Sequence, residues 1–478
     1  EYCPAGAVKL GQKLCTKQGE IKYPKHELPD NLSWGPDKWD EDYRDNNRIN
    51  CYETGTSPCK VACPAHIAVQ GYIRKAKEGK YREALELIKK DNPFPAICGR
   101  VCNKRCEAAC TRGTIDEAVA IDDIKKFIAE QDLHAETRFV PEVVIPSNVD
   151  KQWSEKIAII GAGPAGLSCA YYLATKGYKP TVFEKNARPG GMLTYGIPSY
   201  KLEKDVIEAE IDVLRELGVE IKCGVNVGTD VTIDELRKQG YKAFYVAIGC
   251  QGGRLPGVPG EDAIGTDMAV SFLHDATENH DRKLVGKTVV IGGGNVAMDA
   301  ARTALRLGAE KVTIIYRRSE KELPARREEV EHAKEEGVEF RFLCNPTEII
   351  GYTNPDDRRD PKNGFVTGLR CIRMELGEPD ERGRRRPVPV AGSEHEIPAD
   401  TVIMALGTTP NPLIKSTTDG LEVSKRGGIV TDEDGLTSRE GVYAGGDAVT
   451  GSATVILAMG AGKKAATAID KYIKSKEN

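Results

Sequence analysis

The chain has 478 residues, with 68 basic and 72 acidic side chains and a formal net charge of −4. At roughly 150 residues per domain that length corresponds to about three domains, and 40% hydrophobic against 29% charged residues permits ordinary buried cores and excludes global disorder. The near balance of charge gives no footprint of a nucleic-acid binder or a polybasic membrane anchor. The longest uncharged stretch, Ile157 to Thr175, is broken by Gly161, Gly163, Pro164 and Gly166, which fits strand, turn and helix better than a membrane span. No secretory leader is visible, so the cytoplasm is the expected compartment. The first residue is Glu1 rather than Met, as in a fragment or a trimmed chain.

Residues 1–50 are polar and irregular and read as an extended N-terminal arm. Residues 51–150 read as a helical cysteine domain with its linker. There Ile73, Ala76, Ala84, Leu87 and Ile88 stand among Lys, Arg and Glu at amphipathic-helix spacing, and Phe139 to Trp153, with Pro141 and Pro146, reads as the linker. From Lys156 the pattern becomes apolar strand, glycine turn, helix and second strand, and it returns at Lys287. Two such starts imply two dinucleotide-type lobes rather than a short tandem repeat. The charged stretches Thr353 to Asn363 and Glu378 to Arg386 read as solvated hairpin connections.

Lys156-Ile-Ala-Ile-Ile-Gly-Ala-Gly-Pro-Ala-Gly166 is a buried strand running into Gly161, Gly163 and Gly166. The first glycine allows a tight turn, the second a close approach of backbone to pyrophosphate, and the third close packing of helix on strand. The helix start then offers free N–H groups to phosphate. The next strand ends in Glu184, 23 residues after Gly161, where a carboxylate can accept hydrogen bonds from ribose hydroxyls.

The second motif, Thr288-Val-Val-Ile-Gly-Gly-Gly-Asn-Val-Ala297, places Gly292, Gly294 and Ala297 at the same three positions, with Asn295 opening the helix. Its next strand ends in Arg317 and Arg318 instead of an acid. A carboxylate would repel a 2′-phosphate there, whereas guanidinium groups bind one, which points to NADP. The alternative is a solvated arginine pair at a strand end, and Arg326 and Arg327 stand close enough in sequence to add to a phosphate site.

Cysteine usage is uneven: nine of 14 lie in the first 110 residues. In a long chain without a leader that density favours metal or cluster ligation over disulfides. Cys98, Cys102, Cys106 and Cys110 recur every four residues, yet ligands in one helical line cannot surround a compact cluster, so the chain must bend or the four must serve more than one site. Cys63-Pro64 favours iron–sulfur ligation, the Cys-x2-Cys pairs usual for structural zinc are absent, and free thiols are the remaining alternative. Cys169, Cys223, Cys250, Cys344 and Cys371 read as isolated buried thiols, which disfavours flavin-disulfide chemistry. No HExxH, GxSxG or Walker-A sequence occurs.

These segments carry a resemblance. Cys59-x3-Cys63-Pro64, Asn92-Pro-Phe-Pro-Ala-Ile-Cys-Gly-Arg-Val-Cys102, Pro189-Gly-Gly-Met-Leu-Thr-Tyr-Gly-Ile-Pro198, Tyr316-Arg-Arg, Leu323-Pro-Ala-Arg-Arg327 and Ala444-Gly-Gly-Asp-Ala448 resemble the glutamate synthase small (beta) subunit family. They are equally similar to the large subunit of NADH-dependent ferredoxin:NADP oxidoreductase and to the N-terminal half of dihydropyrimidine dehydrogenase. The match covers roughly residues 45–478. It implies an α/β fold: two Rossmann-like lobes, with an NADP lobe (266–405) inserted through Ala247-Ile-Gly249 and Ala405-Leu-Gly407 into an FAD lobe (151–265 and 406–478), preceded by a mainly helical iron–sulfur domain.

It further implies that Gly190, Gly191 and the turn to Pro198 wrap the flavin, that Gly446 and Asp447 meet its ribityl-pyrophosphate region, and that the helix starting near Thr454 and Val455 aims its positive end at the ring. Two [4Fe–4S] clusters are implied. One would use Cys51, Cys59 and Cys110, and the other Cys63, Cys102 and Cys106. Two family ligand positions hold Thr54 and Lys125 instead, and a protonated lysine has no lone pair to give. Cys98, the arm's Cys3 or Cys15, a partner subunit or the loss of one cluster are the ways to resolve the gap.

The expected function is therefore an electron-transfer flavoprotein that moves electrons between NADP(H), FAD and [4Fe–4S] clusters within a multi-subunit oxidoreductase, electron bifurcation included, with other subunits and ferredoxin as partners. One alternative is the glutamate synthase small subunit serving a glutamate-forming partner. Another is a redox-silent docking subunit, motivated by Thr54 and Lys125. The final electron acceptor is not legible in the sequence.

Overall fold

The computed structural model describes residues 15–16, 19–20, 57–142, 154–379 and 385–476. Cys3, Cys51, Thr54, Pro146 and Trp153 lie outside these, as does the side chain of Cys15.

The first lobe is built on a five-stranded parallel sheet in the order Val442–Ala444, Tyr241–Val246, Lys156–Ile160, Thr181–Glu184, Glu220–Cys223. Its central strands are near-continuous apolar runs because helices cover both faces; Ile157, Ala158, Ile159, Phe244 and Val246 are buried. The helix Val455–Lys476 lies along Pro164–Thr175, and the contact is so close that a Cβ at Gly462 would collide with the carbonyl of Ala165.

The second lobe repeats the arrangement: Glu339–Phe342, Lys311–Tyr316, Lys287–Ile291, Thr401–Met404 and Thr266–Met268, all parallel. The lobes are joined by a short antiparallel crossing in which Gly252–Gly253 pairs with Thr408–Thr409. An antiparallel sheet that the sequence reading did not anticipate packs against this lobe. It is formed by Cys344–Gly351, Val366–Pro379, Arg385–Pro389 and His395–Pro398. The stretch from Thr353 to Asn363 is the hairpin connection expected of it.

The cysteine region is helical: Pro58–Ala62, Val69–Lys77, Tyr81–Lys89, Pro95–Val101, Arg105–Ala108 and Ile121–Leu133. It has no core of its own. Tyr72, Leu85, Ile88, Phe94, Ile97 and Ile128 belong to one continuous apolar cluster with Ile157, Leu167, Tyr171 and Ile469 of the first lobe. Polar ties cross the same boundary: Tyr171 donates to the Lys89 carbonyl at 3.1 Å and Lys463 pairs with Asp91 at 2.5 Å.

Candidate active site: a cavity shared by three regions

The first glycine turn divides its residues by task. Gly161 has φ +104°, and a Cβ there would stand 2.5 Å from the Ala247 carbonyl oxygen. A Cβ on Gly166 would collide with the carbonyl of Gly161. Both glycines are demanded by packing. Gly163, with an ordinary extended backbone, would meet nothing within 4 Å. Its open side faces a cavity of about 310 Å³. That is the space a pyrophosphate needs at the start of the Pro164–Thr175 helix, where N–H groups are unpaired and the dipole is positive. The turn at Gly190 and Gly191 (φ +112° and +57°) clamps this loop. The Gly190 N–H donates to the Ala162 carbonyl at 2.8 Å, and a Cβ on Gly191 would lie 2.9 Å from the Gly163 Cα.

Glu184 is buried at the end of its strand. Its carboxylate accepts from the backbone N–H of Ala162 at 2.8 Å and of Asn186 at 2.9 Å, which fixes an acid on the cavity wall for hydroxyl groups. At the far end Gly446 has φ +66° and leads into Asp447. The Asp447 carboxyl accepts from the Ala453 N–H at 3.2 Å, and burial pushes its pKa up to about 6. Thr454 caps the Val455–Lys476 helix, accepting from the Leu457 N–H at 3.4 Å, so that helix start also opens on the cavity.

The cavity is not confined to the first lobe. Asn295, Asp299 and Arg326 of the second lobe line it, as do Val101 and Asn103 on either side of Cys102. Arg326 reaches across: its guanidinium donates to the Cys102 carbonyl at 2.8 Å and to Glu329 at 2.5 Å. Its backbone N–H donates to the Asn295 side chain at 2.9 Å. Lys201 of the first lobe pairs with Asp299 at 2.8 Å and Glu329 at 3.1 Å. Lys104 pairs with Glu328 at 3.5 Å. Arg326, which the sequence offered as an addition to a phosphate site, also ties the second lobe to the cysteine helices, a partnership across 224 residues that no local pattern reports.

In the second lobe Gly292 has φ +146° and abuts the Ala405 carbonyl, while a Cβ on Gly294 would meet nothing within 4 Å. Ala297 is fully buried in the helix that follows. At the end of the next strand Arg317 is exposed, and Arg318 is partly engaged, its Nε donating to the Arg385 carbonyl at 2.9 Å.

The expected bend in the cysteine run is present. The helix Pro95–Val101 ends with Cys102 extended (φ −67°, ψ 143°), Lys104 is left-handed (φ 52°) before Arg105–Ala108, and Cys110 is again extended. Cys98, Cys102 and Cys106 stand around the buried Lys125, whose ammonium is 2.5 Å from Asp122, and Cys63 lies near Cys102 and Cys106. Cys98 is buried and its Sγ lies 3.6 Å from the Met459 sulfur. Cys59 bonds to Ser57 at 3.1 Å. Among the described residues no three Cys, His, Asp or Glu side chains converge closely enough to hold one metal ion. An all-cysteine donor set distributed around a wider space suits a cluster, whose ligands bind separate irons, better than a lone ion.

The cysteine reading needs one correction. Cys344 and Cys371 are not isolated: they are diagonal neighbours on adjacent strands of the antiparallel sheet, and each shifts the other's pKa. They do not line the shared cavity, whereas Cys250 does, accepting from the Thr408 hydroxyl at 3.2 Å.

Comparison with known proteins agrees with this geometry. Residues 155–465 match the family profile of pyridine nucleotide-disulphide oxidoreductases, and residues 39–137 match dihydropyrimidine dehydrogenase domain II, 4Fe-4S cluster. The NADP(+)-dependent formate dehydrogenase subunit beta of Moorella thermoacetica is 43% identical over 88% of this chain, and the NADPH-Fe(3+) oxidoreductase subunit beta of Geobacter sulfurreducens is 38% identical over 87%. The chain spans 60% and 64% of the length of these two relatives. The glutamate synthase [NADPH] small chain of Escherichia coli is 39% identical over 88% of this chain and 90% of its own length. Among solved structures, Mycobacterium tuberculosis FprA in complex with NADPH superimposes with a TM-score of 0.58 at 20% identity, covering 68% of this chain and 85% of that one. Thioredoxin reductase from T. acidophilum superimposes with a TM-score of 0.50 at 25% identity, covering 67% and 98%.

No helix among the described residues is long and apolar enough to cross a membrane. The cofactors that go with the two matched domains are FAD, NADP(H) and [4Fe–4S]. The paired dinucleotide turns, the cysteine helices joined to them and the relatives that share both make the chain a member of the pyridine nucleotide-disulphide oxidoreductase family, of the type represented by the glutamate synthase small chain.

Proposed function

We propose that this chain is the electron-transfer subunit of a multi-subunit oxidoreductase, moving electrons between NADP(H) and a partner by way of FAD and [4Fe–4S] clusters. The observation that carries the reading is the single cavity bounded by both lobes and by the residues flanking Cys102. When bound there, FAD would supply the exchange between two-electron hydride chemistry and one-electron transfer to iron. The chain's own part is to bind and hold. Gly163 and the following helix start cradle a pyrophosphate, Glu184 accepts from ribose hydroxyls, Asp447 does so at the other end, and the Thr454–Val455 helix start offers its positive end. Gly294 and Arg317 receive NADP(H), with Arg318 in support. Arg326 fixes the Cys102 carbonyl so that the cysteine helix stays against the cavity wall.

Cys63, Cys102 and Cys106 serve one cluster, with Cys98 the nearest substitute for the ligand that Lys125 cannot provide. Cys59 and Cys110 serve a second, together with Cys51, which lies outside the described residues. Thiolate clusters of this kind belong in a reducing compartment, and the reading places the protein in the cytoplasm.

The test is spectroscopic. Anaerobically purified protein should show the two flavin bands with a broad brown shoulder, and NADPH should bleach the bands and raise the paramagnetic resonance signal of a reduced cluster. A colourless protein, or flavin bleaching that never reaches iron, overturns the proposal in favour of a docking subunit. In the same spectra Cys63→Ser and Cys110→Ser should each weaken a different cluster signal. A second reading, service to a glutamate-forming partner, is favoured by the 90% span of the Escherichia coli small chain. Subunits that co-purify from the native source separate it from service to a formate-type or ferredoxin-type partner.

A further inference from the structure

The antiparallel sheet of the second lobe holds a cluster that the electron-transfer reading does not use. Cys371 lies on the central strand directly opposite His395, and Cys344 lies on the other neighbouring strand, in register with Arg373, two residues from Cys371. Residues two apart in register point to the same face of a sheet, and here that face carries both thiols into the apolar layer with Ile349 and Leu369. Cys344 also lines a surface cavity of about 570 Å³ with Arg341, Arg373, Ser393 and His395.

The imidazole is set as a base. His395 Nδ1 is 3.1 Å from the Ser393 carbonyl, which can only accept, so Nδ1 carries the hydrogen. The lone pair of Nε2 then faces Cys344 Sγ at 3.8 Å. A thiol, a base within reach and a third group that orients the base are the elements of an activated sulfur nucleophile. The neighbouring Cys371 thiol, His395 and Arg341 draw the Cys344 thiol down to about 7 against its burial, while Cys344 and burial push Cys371 up. Of the pair, Cys344 is the thiol that gives up its proton first, with His395 Nε2 placed to take it.

We propose that Cys344, Cys371 and His395 form a peroxide-reactive dithiol site that closes to a disulfide. His395 Nε2 takes the Cys344 proton, and the thiolate attacks one oxygen of hydrogen peroxide. The S–O bond forms, the O–O bond breaks, and the leaving hydroxide takes the proton back from His395 as water. The Cys371 sulfur then attacks the sulfenic sulfur, the S–S bond forms, the S–O bond breaks, and hydroxide leaves with the Cys371 proton as a second water. Two electrons pass from two thiols to one peroxide. Cα atoms of diagonal neighbours in a sheet start about 7–8 Å apart, beyond the roughly 6.8 Å limit for a bridge, so closure draws the two strands together. Leu343, left-handed at φ 53°, is the corner that moves with Cys344; its N–H donates to the Arg318 carbonyl at 3.1 Å and its carbonyl accepts from Met374 at 2.8 Å.

The experiment treats the anaerobically purified holoprotein with a small excess of hydrogen peroxide, traps remaining thiols and identifies peptides by mass. The expected product is a peptide pair joined through Cys344 and Cys371, lighter by two hydrogens. Cys371→Ser should leave a sulfenic acid on Cys344 that dimedone captures. His395→Gln, at an exposed position, should slow alkylation of Cys344 by iodoacetamide roughly tenfold at pH 7 and move the midpoint of its pH–rate profile up toward an ordinary thiol, with Cys371, Arg341 and Arg373 the remaining groups that face it. Alkylation of Cys344 no faster than that of Cys223, or peroxide treatment that never links the 344 and 371 peptides, overturns the proposal. Peptide-level readout keeps either result separate from any loss of cluster iron.

Discussion

At Gly163 and at Gly294 an added Cβ would meet nothing within 4 Å, whereas at Gly161 and Gly292 it would run into the carbonyls of Ala247 and Ala405. The two lobes thus solve the backbone problem of a dinucleotide turn in the same way and diverge only beyond it. After the first turn the next strand ends in the buried, doubly bonded carboxylate of Glu184. After the second it ends in the exposed Arg317. The first turn opens into a cavity walled by three regions, which Asn295 after the second turn also lines, whereas the strand that follows the second turn ends at the surface. In the proposed function the glycines set what class of ligand can approach, and one side chain at the end of the following strand sets which member of the class is held.

Gly163→Val breaks the comparison most severely. The new side chain would take the space of the phosphate oxygens, so bound FAD should fall by at least about a hundredfold while circular dichroism is unchanged. Gly166→Val, packed against Gly161, should instead unfold the lobe. Full flavin occupancy in the Gly163 variant would remove the assignment of the cavity.

Next comes Arg317→Ala/Arg318→Ala. Charge-assisted bonds to phosphate contribute about 1.5–3 kcal/mol, so NADPH should weaken roughly tenfold to several hundredfold and NADH should change little in steady-state dye reduction. Because Arg318 is already committed to the Arg385 carbonyl, Arg317→Ala alone should account for most of the loss. Equal weakening of both nicotinamides would show that the pair does not read the 2′-phosphate.

A smaller effect separates the two ends of the cavity. Asp447, raised to about 6 by burial, accepts from ligand hydroxyls more strongly when ionised, so FAD affinity should decline as pH falls through 6, by at most tenfold per unit. Titration of apoprotein with FAD between pH 5 and 8 measures this, and Asp447→Asn should flatten the profile.

The smallest effect concerns the second lobe alone. Glu336 is held by Arg306 and Arg302 and lies at about 2 instead of 4.5. A depressed carboxyl stabilises the fold above its unfolded value, and that stability is lost as pH falls from 4.5 through 2. With its side chain 27% exposed, a discounted contribution of about 1–2 kcal/mol is expected. Glu336→Gln should show a shallower loss of Tm on acidification than the parent.

Local features were legible in the sequence because their causes are local. The strand–glycine–helix units follow from apolar runs and spacing, and the bend in the cysteine run follows from the impossibility of wrapping ligands in one line. What was not legible depends on residues far apart in the chain. Nothing near Arg326 announces the Cys102 carbonyl, and Cys344 and Cys371 looked solitary because the strands that juxtapose them belong to a sheet with no glycine signature. Lys125 could be marked as a departure from the family, yet its burial beside Cys98 and Cys102 emerges only from the fold.

Met459 touches Cys98 although 361 residues separate them, and Ser168 donates to the Met459 carbonyl at 2.8 Å. The wall behind the cysteines is thus supplied by a helix synthesised long after them. Domains fold as units during synthesis once their contacts exist, and for this helical region those contacts do not exist until the helix Val455–Lys476 has been made. The nascent cysteine segment must therefore wait, thiols unpacked, through the translation of both lobes, and packing around the cysteines follows the synthesis of that helix instead of preceding it.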